Sequence, residues 1–303
     1  MLWIDEERRT SMKIVRFSYN ENTAFGILIQ DDIVPLAAFG VPEQKTLTEL
    51  AAFDAEFGLE TYVTAAPESV WSQAIPLTEV VLRAPVDRPP HDVICVGVNY
   101  QEHRKESEKA AAQLPEKIVF FGKRCGHMTG PGETVALDPA IDAAMDYETE
   151  LAVILRRGGR NIPRDAAEEC IFGYSIFNDF TARAVQAERG QWYLGKSIDG
   201  YSAMGPCILH RSSAASPARF SLSCRVNGEL RQSADTSQFL ANIGDLIADV
   251  SRYITLEPGD IIATGTPGGV GFSYKPPRFL HHGDTVVCEI SDIGILENHI
   301  KEI

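Results

Sequence analysis

The chain is organised around Asp146-Tyr147-Glu148-Thr149-Glu150, which runs directly into the apolar segment Leu151–Leu155. Its aromatic and β-branched residues predict a strand, in which successive side chains point to opposite faces. Glu148 and Glu150 are two residues apart and therefore share one face. Two such carboxylates repel each other unless a cation or solvent accommodates them. An isolated pair leaves both interpretations open, a solvated strand face and a cation site.

A third acid, Asp179, ends another strand-like run, Tyr174–Asn178. Three carboxylates with no nearby Cys or His favour a hard divalent cation, Mg²⁺ or Mn²⁺, that keeps open positions for water or substrate.

Composition limits the possible partners. The 303 residues suffice for one large domain or two smaller ones, and 44% hydrophobic with 23% charged residues is ordinary for a globular protein. The net charge of −14 argues against nucleic acid or an anionic membrane as a partner. A small anionic substrate remains compatible, because a metal ion and a few local cations set the field inside one cleft.

The six cysteines are scattered without a C-x-x-C pair, which argues against a zinc ribbon or a disulfide scaffold. They predict buried free thiols in a reducing compartment. The first residues lack the apolar segment of a signal peptide, and no apolar run reaches the length of a membrane span. We therefore expect a cytoplasmic protein.

The chain divides into three segments. Residues 1–11 form an N-terminal extension, residues 12–88 a small domain of short strands with a helix near Thr46–Phe57, and residues 89–303 a catalytic domain. The linker is marked by Arg88-Pro89-Pro90, since tandem prolines favour extended backbone. Short strands outnumber helices and no regular βαβ alternation occurs, which predicts an α+β, mostly β fold.

A polar helix is predicted over Gln101–Leu114 and carries His103 and Glu106 on one face. A histidine oriented by a carboxylate is a general base, whereas an exposed helix with incidental charges is the plainer alternative. With so little apolar surface, residues 101–115 also have the character of a mobile lid.

Two further segments carry candidate site residues. Lys196 lies between two glycine-containing turns, which favours a loop entering a cleft over an ordinary surface lysine. The glycine-rich run Thr264–Gly271 lacks the nucleotide-binding motifs. It suits a tight loop that presents Thr hydroxyls, such as that of Thr266, and backbone N–H groups to a carboxylate.

The ordered series of motifs resembles the fumarylacetoacetate hydrolase family over about residues 90–303, and the first 85 residues resemble the small N-terminal domain of many bacterial members. The series comprises Val96–Tyr100 with His103, Asp146–Leu151, Gly173–Asp179, Lys196–Asp199, Met204–Pro206, Leu256–Asp260 and Thr264–Pro267 with Gly269–Gly271.

This resemblance implies a mixed β-roll catalytic domain with a small N-terminal α/β domain, usually as a homodimer. It implies Mg²⁺ or Mn²⁺ held by Glu148, Glu150 and Asp179, with His103 and Glu106 on a closing lid and Lys196 as a further catalytic residue. Family members act on β-diketo acids or related 2-oxo acids.

Two stretches depart from the family pattern. A common Ser-Ala-Arg-Asp run reads Thr181-Ala182-Arg183-Ala184, and a common Phe-Leu-Lys-Pro run reads Phe121-Gly122-Lys123-Arg124. Both stretches border the expected pocket. The candidate substrate contacts are therefore Arg183, Gln186 and Lys123, with Thr266. Arg183 or Gln186 would also assist Lys196 in stabilising an oxyanion.

The expected function is metal-dependent hydrolysis of a C–C bond in acylpyruvate-like acids, in aromatic compound catabolism. His103 would activate water and the metal would stabilise the departing enolate. The alternatives are decarboxylation of a 2-oxo acid such as oxaloacetate, or isomerisation or hydration of a 2-hydroxyhepta-2,4-diene-1,7-dioate type acid, because both share that enolate. A non-catalytic 2-oxo acid binder is the remote alternative, since it would not need a His–Glu pair.

Overall fold

The computed structural model describes residues 11–110 and 117–303. The predicted extension, up to residue 10, and the end of the predicted lid, residues 111–116, lie outside the described residues. Of the residues that the structure describes, 36% lie in strands and 26% in helices, and the sheets are mixed, which confirms the α+β, mostly β fold. No helix in the described ranges is long and apolar enough to cross a membrane.

Eighteen strands lie within the described residues. In chain order they are β1 (Lys13–Tyr19), β2 (Asn22–Ile29), β3 (Asp32–Pro35), β4 (Ile75–Pro76), β5 (Val81–Arg83), β6 (Val93–Gly97), β7 (Val119–Lys123), β8 (Thr134–Leu137), β9 (Met145–Asp146), β10 (Thr149–Leu155), β11 (Ile171–Asp179), β12 (Thr181–Ala182), β13 (Ser202–His210), β14 (Ser221–Val226), β15 (Glu229–Asp235), β16 (Ile261–Ala263), β17 (Thr285–Ile290) and β18 (Gly294–Glu302).

The described α-helices are fewer than the strands. They are α1 (Leu47–Phe57), α2 (Leu59–Thr64), α3 (Gln101–Ala110), α4 (Arg183–Arg189), α5 (Tyr193–Lys196) and α6 (Ile243–Ser251). Helix α1 begins at a capping box, in which Thr46 accepts from the Glu49 N–H and Glu49 accepts from the Thr46 N–H. Helix α6 keeps the apolar face that its sequence predicts, with Leu246, Ile247 and Val250 buried.

One large sheet runs through the molecule in the order β4-β3-β2-β1-β13-β11-β10-β16-β6-β7, with β5 paired to β1. A second sheet has the order β15-β14-β17-β18-β8, and β12 pairs with β9. The turn between β14 and β15 has positive φ at both Asn227 and Gly228, 51° and 81°, as the Asn-Gly hairpin signal predicts.

Strand β10 lies near the centre of the large sheet, and its burial explains its composition. Leu151, Val153 and Leu155 pack into one hydrophobic cluster, whereas Ala152 and Ile154 pack into the cluster on the opposite face. A strand covered on both faces is apolar at every position, so this segment shows no alternation beyond Glu150.

The small N-terminal unit continues the large sheet. Strand β1 pairs with β13, with Lys13 opposite Leu209 and Ile14 opposite Ile208. The boundary placed at residues 88 and 89 therefore crosses a continuous sheet, and one hydrophobic cluster contains residues from both sides of it.

Asp54 of α1 is a buried charge that joins the two parts. Its carboxylate contacts Arg156 NH1 at 3.1 Å and His210 Nε2 at 3.3 Å, and it accepts from the Leu59 N–H at 2.8 Å. Burial opposes ionisation of Asp54, but the hydrogen bonding and charge of His210, with the Leu59 N–H and Arg156, lower its pKa. The carboxylate is therefore held as an anion at neutral pH.

We expect Asp54→Ala to lower the free energy of unfolding by about 3 kcal/mol, because it removes the buried carboxylate that pairs with Arg156 and leaves that cation, among the described residues, only its ion pair with Glu169. Since the folded pKa of Asp54 is lowered, its stabilising effect is present above its unfolded pKa and is lost as pH falls through the folded value. Urea unfolding from neutral to acidic pH measures both effects. Glu56→Ala, an exposed acid on the same helix, is the matched control. Equal stability of the two variants at neutral pH would contradict this account.

Candidate metal centre

The pairing of β10 with β11 brings the three predicted acids together. Glu150 lies opposite Phe177, and the Asp179 N–H donates to the Glu148 carbonyl at 2.9 Å. Residues opposite each other on neighbouring strands point to the same face, so all three side chains meet there. Ligand oxygens of Glu148, Glu150 and Asp179 lie within 4.8 Å of one another. Strand β10 begins at Thr149, later than predicted, but the Glu148 backbone keeps its bond to β11.

The chemistry of this cluster fits a hard divalent cation. All three carboxylates are buried, with residue exposures of 5%, 2% and 0% for Glu148, Glu150 and Asp179. Burial, followed by the negative charges of Asp179 and Glu148, raises the pKa of Glu150 well above its usual range. Three buried carboxylates that repel one another are a ligand set for Mg²⁺ or Mn²⁺, so these residues would hold such an ion.

Three cationic side chains border the acids. Lys196 Nζ lies 2.7 Å from both Glu148 and Asp179, Lys123 Nζ lies 2.6 Å from Asp179, and Arg183 NH2 lies 2.6 Å from Glu148. Burial opposes ionisation of Glu148, yet the charges of Lys196 and Arg183, with His103, lower its pKa to about 2. Burial likewise opposes the charge on Lys196, but Asp179 and Glu148 raise its pKa. Lys196 is therefore an ammonium donor rather than a neutral base.

Glu150 differs from its neighbours because no cationic side chain contacts it among the described residues; it accepts from the Gly265 N–H at 2.9 Å. Its raised pKa favours a proton in the metal-free site, and metal binding requires the carboxylate. We therefore expect Mn²⁺ binding to release up to about one proton and the metal affinity to increase with pH. Calorimetric titration in buffers of different ionisation enthalpy measures this proton, and a value of zero near neutral pH would contradict it.

The structure also brings the predicted His–Glu pair to this site. His103 on α3 lines the same cavity as Glu148 and Glu150. Its Nδ1 lies 3.4 Å from Glu106 Oε2, while Glu106 Oε1 accepts from the Gly269 N–H at 3.0 Å. Glu106 thus contacts both the histidine and the glycine-rich loop. Because Nδ1 faces Glu106, Nε2 is the ring nitrogen left for a ligand.

The four predicted substrate contacts occupy different places. Arg183 and Gln186 line the cavity, and Arg183 NH1 donates to Gln186 Oε1 at 3.1 Å. Thr266 also lines it, but its hydroxyl donates to the Thr149 carbonyl and accepts from Gln232 Nε2. Lys123 is fully buried and does not line the cavity; it donates to Asp179 and to the Phe180 carbonyl. Its contacts are those of a counter-ion behind Asp179.

Asp146 is a functional residue that the sequence analysis did not single out. Its buried carboxylate accepts from the N–H groups of Tyr147, Gly271 and Phe272 and from Arg183 Nε. Arg183 in turn lies 4.6 Å from the centre of the Phe272 ring. Asp146 therefore ties the glycine-rich loop and Arg183 to the metal-site strand. The sequence signal for Asp146 was its position two residues before Glu148, because it continues the two-residue spacing that places Glu148 and Glu150 on one face.

The cavity beside the acids has a volume of about 340 Å³. His103, Glu148, Glu150, Arg183 and Lys196 line it, so a three-carboxylate centre, two cations and an oriented imidazole meet around one space. In a mostly β fold, these features fit an enzyme whose divalent metal ion is held by carboxylates.

The chain belongs to the fumarylacetoacetate hydrolase family. Residues 92–301 match the family described as Fumarylacetoacetate (FAA) hydrolase C-terminal, and residues 12–85 match the Rv2993c-like N-terminal family.

Its relatives include proteins with different reactions. The chain is 43% identical over 224 residues to oxaloacetate tautomerase YisK of Bacillus subtilis, covering 74% of each chain. It is 38% identical over 271 residues to the human mitochondrial oxaloacetate tautomerase FAHD2A, covering 88% of this chain and 83% of the relative. A similar solved structure is maleylpyruvate hydrolase from Sphingobium sp. SYK-6 in complex with manganese(II) and pyruvate. The two chains are 29% identical and superpose with a TM-score of 0.76 over 96% of this chain and 99% of that one.

Proposed function

We propose that the chain is a Mg²⁺- or Mn²⁺-dependent tautomerase that interconverts the enol and keto forms of a short 2-oxo dicarboxylic acid of the oxaloacetate type. The observation that carries this proposal is the position of His103, which Glu106 contacts, in one cavity with the three-carboxylate centre. That arrangement suits binding of a 2-oxo acid head group together with transfer of one proton.

The charges of the site suit an anionic substrate once the metal is bound. Four carboxylates, those of Asp146, Glu148, Glu150 and Asp179, face the cations of Lys123, Lys196 and Arg183. A divalent ion offsets this excess of negative charge, also when Glu106 is counted, which favours an incoming 2-oxo dicarboxylate. The bound ion would supply Lewis-acid polarisation of the 2-keto oxygen.

The chain's own residues would then move the proton. In the keto-to-enol direction the C3–H bond breaks and its proton passes to His103 and from there to solvent, while the former keto oxygen takes a proton from a solvent water to form the enol O–H bond. His103 Nε2 would accept the proton from C3, and Glu106 would stabilise the imidazolium. The Lys196 ammonium would donate a hydrogen bond to the developing oxyanion. In the reverse direction His103 returns the proton to C3.

The relatives support this reaction above the expected C–C hydrolysis. Both tautomerase relatives cover two thirds or more of this chain at 38% identity or higher, whereas the maleylpyruvate hydrolase structure is 29% identical. Oxaloacetate decarboxylation proceeds through the same enolate and stays a companion activity. Acylpyruvate hydrolysis is the second candidate, because the hydrolase relative shares the fold and its structure contains pyruvate.

The test is a comparison of three rates in one Mg²⁺-loaded sample. Ketonisation of enol-oxaloacetate is followed by ultraviolet absorbance, decarboxylation by release of CO₂, and acylpyruvate cleavage by loss of the diketo absorbance. The proposal requires ketonisation to have the largest kcat/KM of the three reactions. If acylpyruvates are cleaved efficiently and enol-oxaloacetate is converted no faster than in buffer, the hydrolase candidate replaces it.

A further inference from the structure

The cavity beside the metal centre has an apolar side that a short dicarboxylic acid does not use. Its volume of about 340 Å³ reaches the range, roughly 300–1,000 Å³, in which protein pockets hold much larger ligands. Its apolar lining includes Val96, Gly97, Val98, Phe121, Ala187 and Trp192.

This apolar wall begins directly beside the head-group position. Lys196 Nζ, which contacts Glu148 and Asp179, lies 5.4 Å from the centre of the Phe121 ring. The Phe121 and Trp192 rings meet edge to face, with centres 5.1 Å apart and planes at 80°. A substituent on C3 that is larger than the carboxylate of oxaloacetate would therefore reach an aromatic surface.

Gly97 makes the position of the indole possible. A Cβ atom at residue 97 would lie 2.7 Å from Cζ3 of Trp192, closer than such atoms approach in proteins, and 3.1 Å from Cη2, a tight contact. The next residue, Val98, has a φ of 62°, a left-handed conformation that β-branched residues rarely adopt. The chain thus keeps an unfavourable backbone conformation and a bare glycine at the point where the indole lies against β6.

The wall has no charge to bind a second carboxylate at a distance from the acids. Among the described residues that line the cavity, the Lys and Arg side chains are Lys196 and Arg183, and both already contact the acids. Apolar and aromatic groups are the complement of such a surface.

We propose that the Phe121–Trp192 wall is a subsite for an aromatic substituent, and that the site binds and tautomerises 2-oxo acids with an aryl group on C3, of which phenylpyruvate is the simplest. This inference rests on the proposed function for its chemistry, since the same C3–H bond breaks and the same O–H bond forms. Trp192 and Gly97 are its specificity-determining residues.

The direct experiment compares the dissociation constants of pyruvate and phenylpyruvate for the Mg²⁺-loaded protein by calorimetry. The two ligands have the same head group and differ by the phenyl group. We expect phenylpyruvate to bind at least about 10-fold more tightly, the scale of burying part of an aromatic ring. Equal dissociation constants for the wild type would overturn the subsite without recourse to any variant.

Variants locate the effect. Trp192→Ala should reduce the preference for phenylpyruvate to less than about threefold, and Gly97→Ala should reduce it because the added methyl group displaces the indole. If Trp192→Ala does not fold, Trp192→Leu is measured in its place. Tyr193→Ala, an exposed aromatic residue next in the chain that does not line the cavity, is the matched control and should keep the preference. A full preference in folded Trp192→Leu or Trp192→Ala would place the phenyl group elsewhere and overturn the assignment.

Tautomerisation of enol-oxaloacetate, measured on the same samples, separates the two proposals. If oxaloacetate turns over but phenylpyruvate has no binding advantage, the subsite alone is wrong. If neither acid is tautomerised while phenylpyruvate keeps its advantage, the proposed function is wrong and the binding subsite stands. Turnover of phenylpyruvate by the wild type, reduced in Trp192→Ala more than turnover of oxaloacetate, supports both.

Discussion

Glu150→Gln should lose more than about 100-fold in metal affinity and lose oxaloacetate tautomerisation with it, because one of the three ligand charges is removed. Glu150 is the most informative of the three acids. Glu148 and Asp179 both contact Lys196, so replacing either would remove one of the two carboxylates that pair with this buried cation. Glu150 contacts the Gly265 N–H, which the amide oxygen of glutamine still accepts.

The same substitution should not harm the metal-free fold. The raised pKa of Glu150 favours its neutral form in the metal-free site, and glutamine is a neutral side chain of the same shape, so the midpoint of thermal unfolding without metal should be unchanged or higher. With Mn²⁺, the wild type should gain stability and Glu150→Gln should not. Glu289→Gln, an exposed acid on β17, is the control. Mn²⁺ binding by Glu150→Gln at the wild-type affinity would exclude this residue as a ligand.

His103→Ala should lower kcat for tautomerisation by about 100-fold or more, the usual loss when a general base is removed. The metal affinity should stay near the wild-type value, since His103 is not one of the three ligands. Decarboxylation of oxaloacetate should fall less, because loss of CO₂ needs no base to remove a proton. The two reactions therefore respond differently to one substitution.

Glu106→Gln refines this prediction. The amide oxygen can still accept from the Gly269 N–H, but an amide does not stabilise an imidazolium as a carboxylate does. We expect a fall in kcat with little change in KM. His281→Ala, an exposed histidine of the same domain, controls for nonspecific effects. Tautomerisation by His103→Ala at the wild-type rate would remove the His–Glu pair from the mechanism.

Local patterns predicted the parts of the site that depend on one element. The two-residue spacing of Glu148 and Glu150 placed them on one face, and the three-residue spacing of His103 and Glu106 placed that pair on one helix face. The apolar run Leu151–Leu155 predicted a strand in the same way, and the Asn227-Gly228 pair is itself a signal for a hairpin turn. Each follows from a backbone period or a turn conformation that nearby residues determine.

The rest depends on contacts between distant segments, which no local pattern contains. The four donors of Asp146 come from Tyr147 beside it, from Arg183, and from the loop at Gly271 and Phe272 more than a hundred residues away. The position of Lys123 behind Asp179 depends on how β6 and β7 join the large sheet. Lys196, expected in a loop, ends the short helix α5, whose register brings its ammonium to Glu148 and Asp179.

The most direct test of the account measures ketonisation of enol-oxaloacetate by one protein sample before chelation, after exhaustive chelation and after return of Mg²⁺ or Mn²⁺. In the wild type and in Glu289→Gln, catalysis should fall to the buffer rate without metal and recover fully when the metal is returned. In Glu150→Gln, returning the metal should not restore catalysis. Undiminished ketonisation by a sample shown to contain no divalent metal would contradict it.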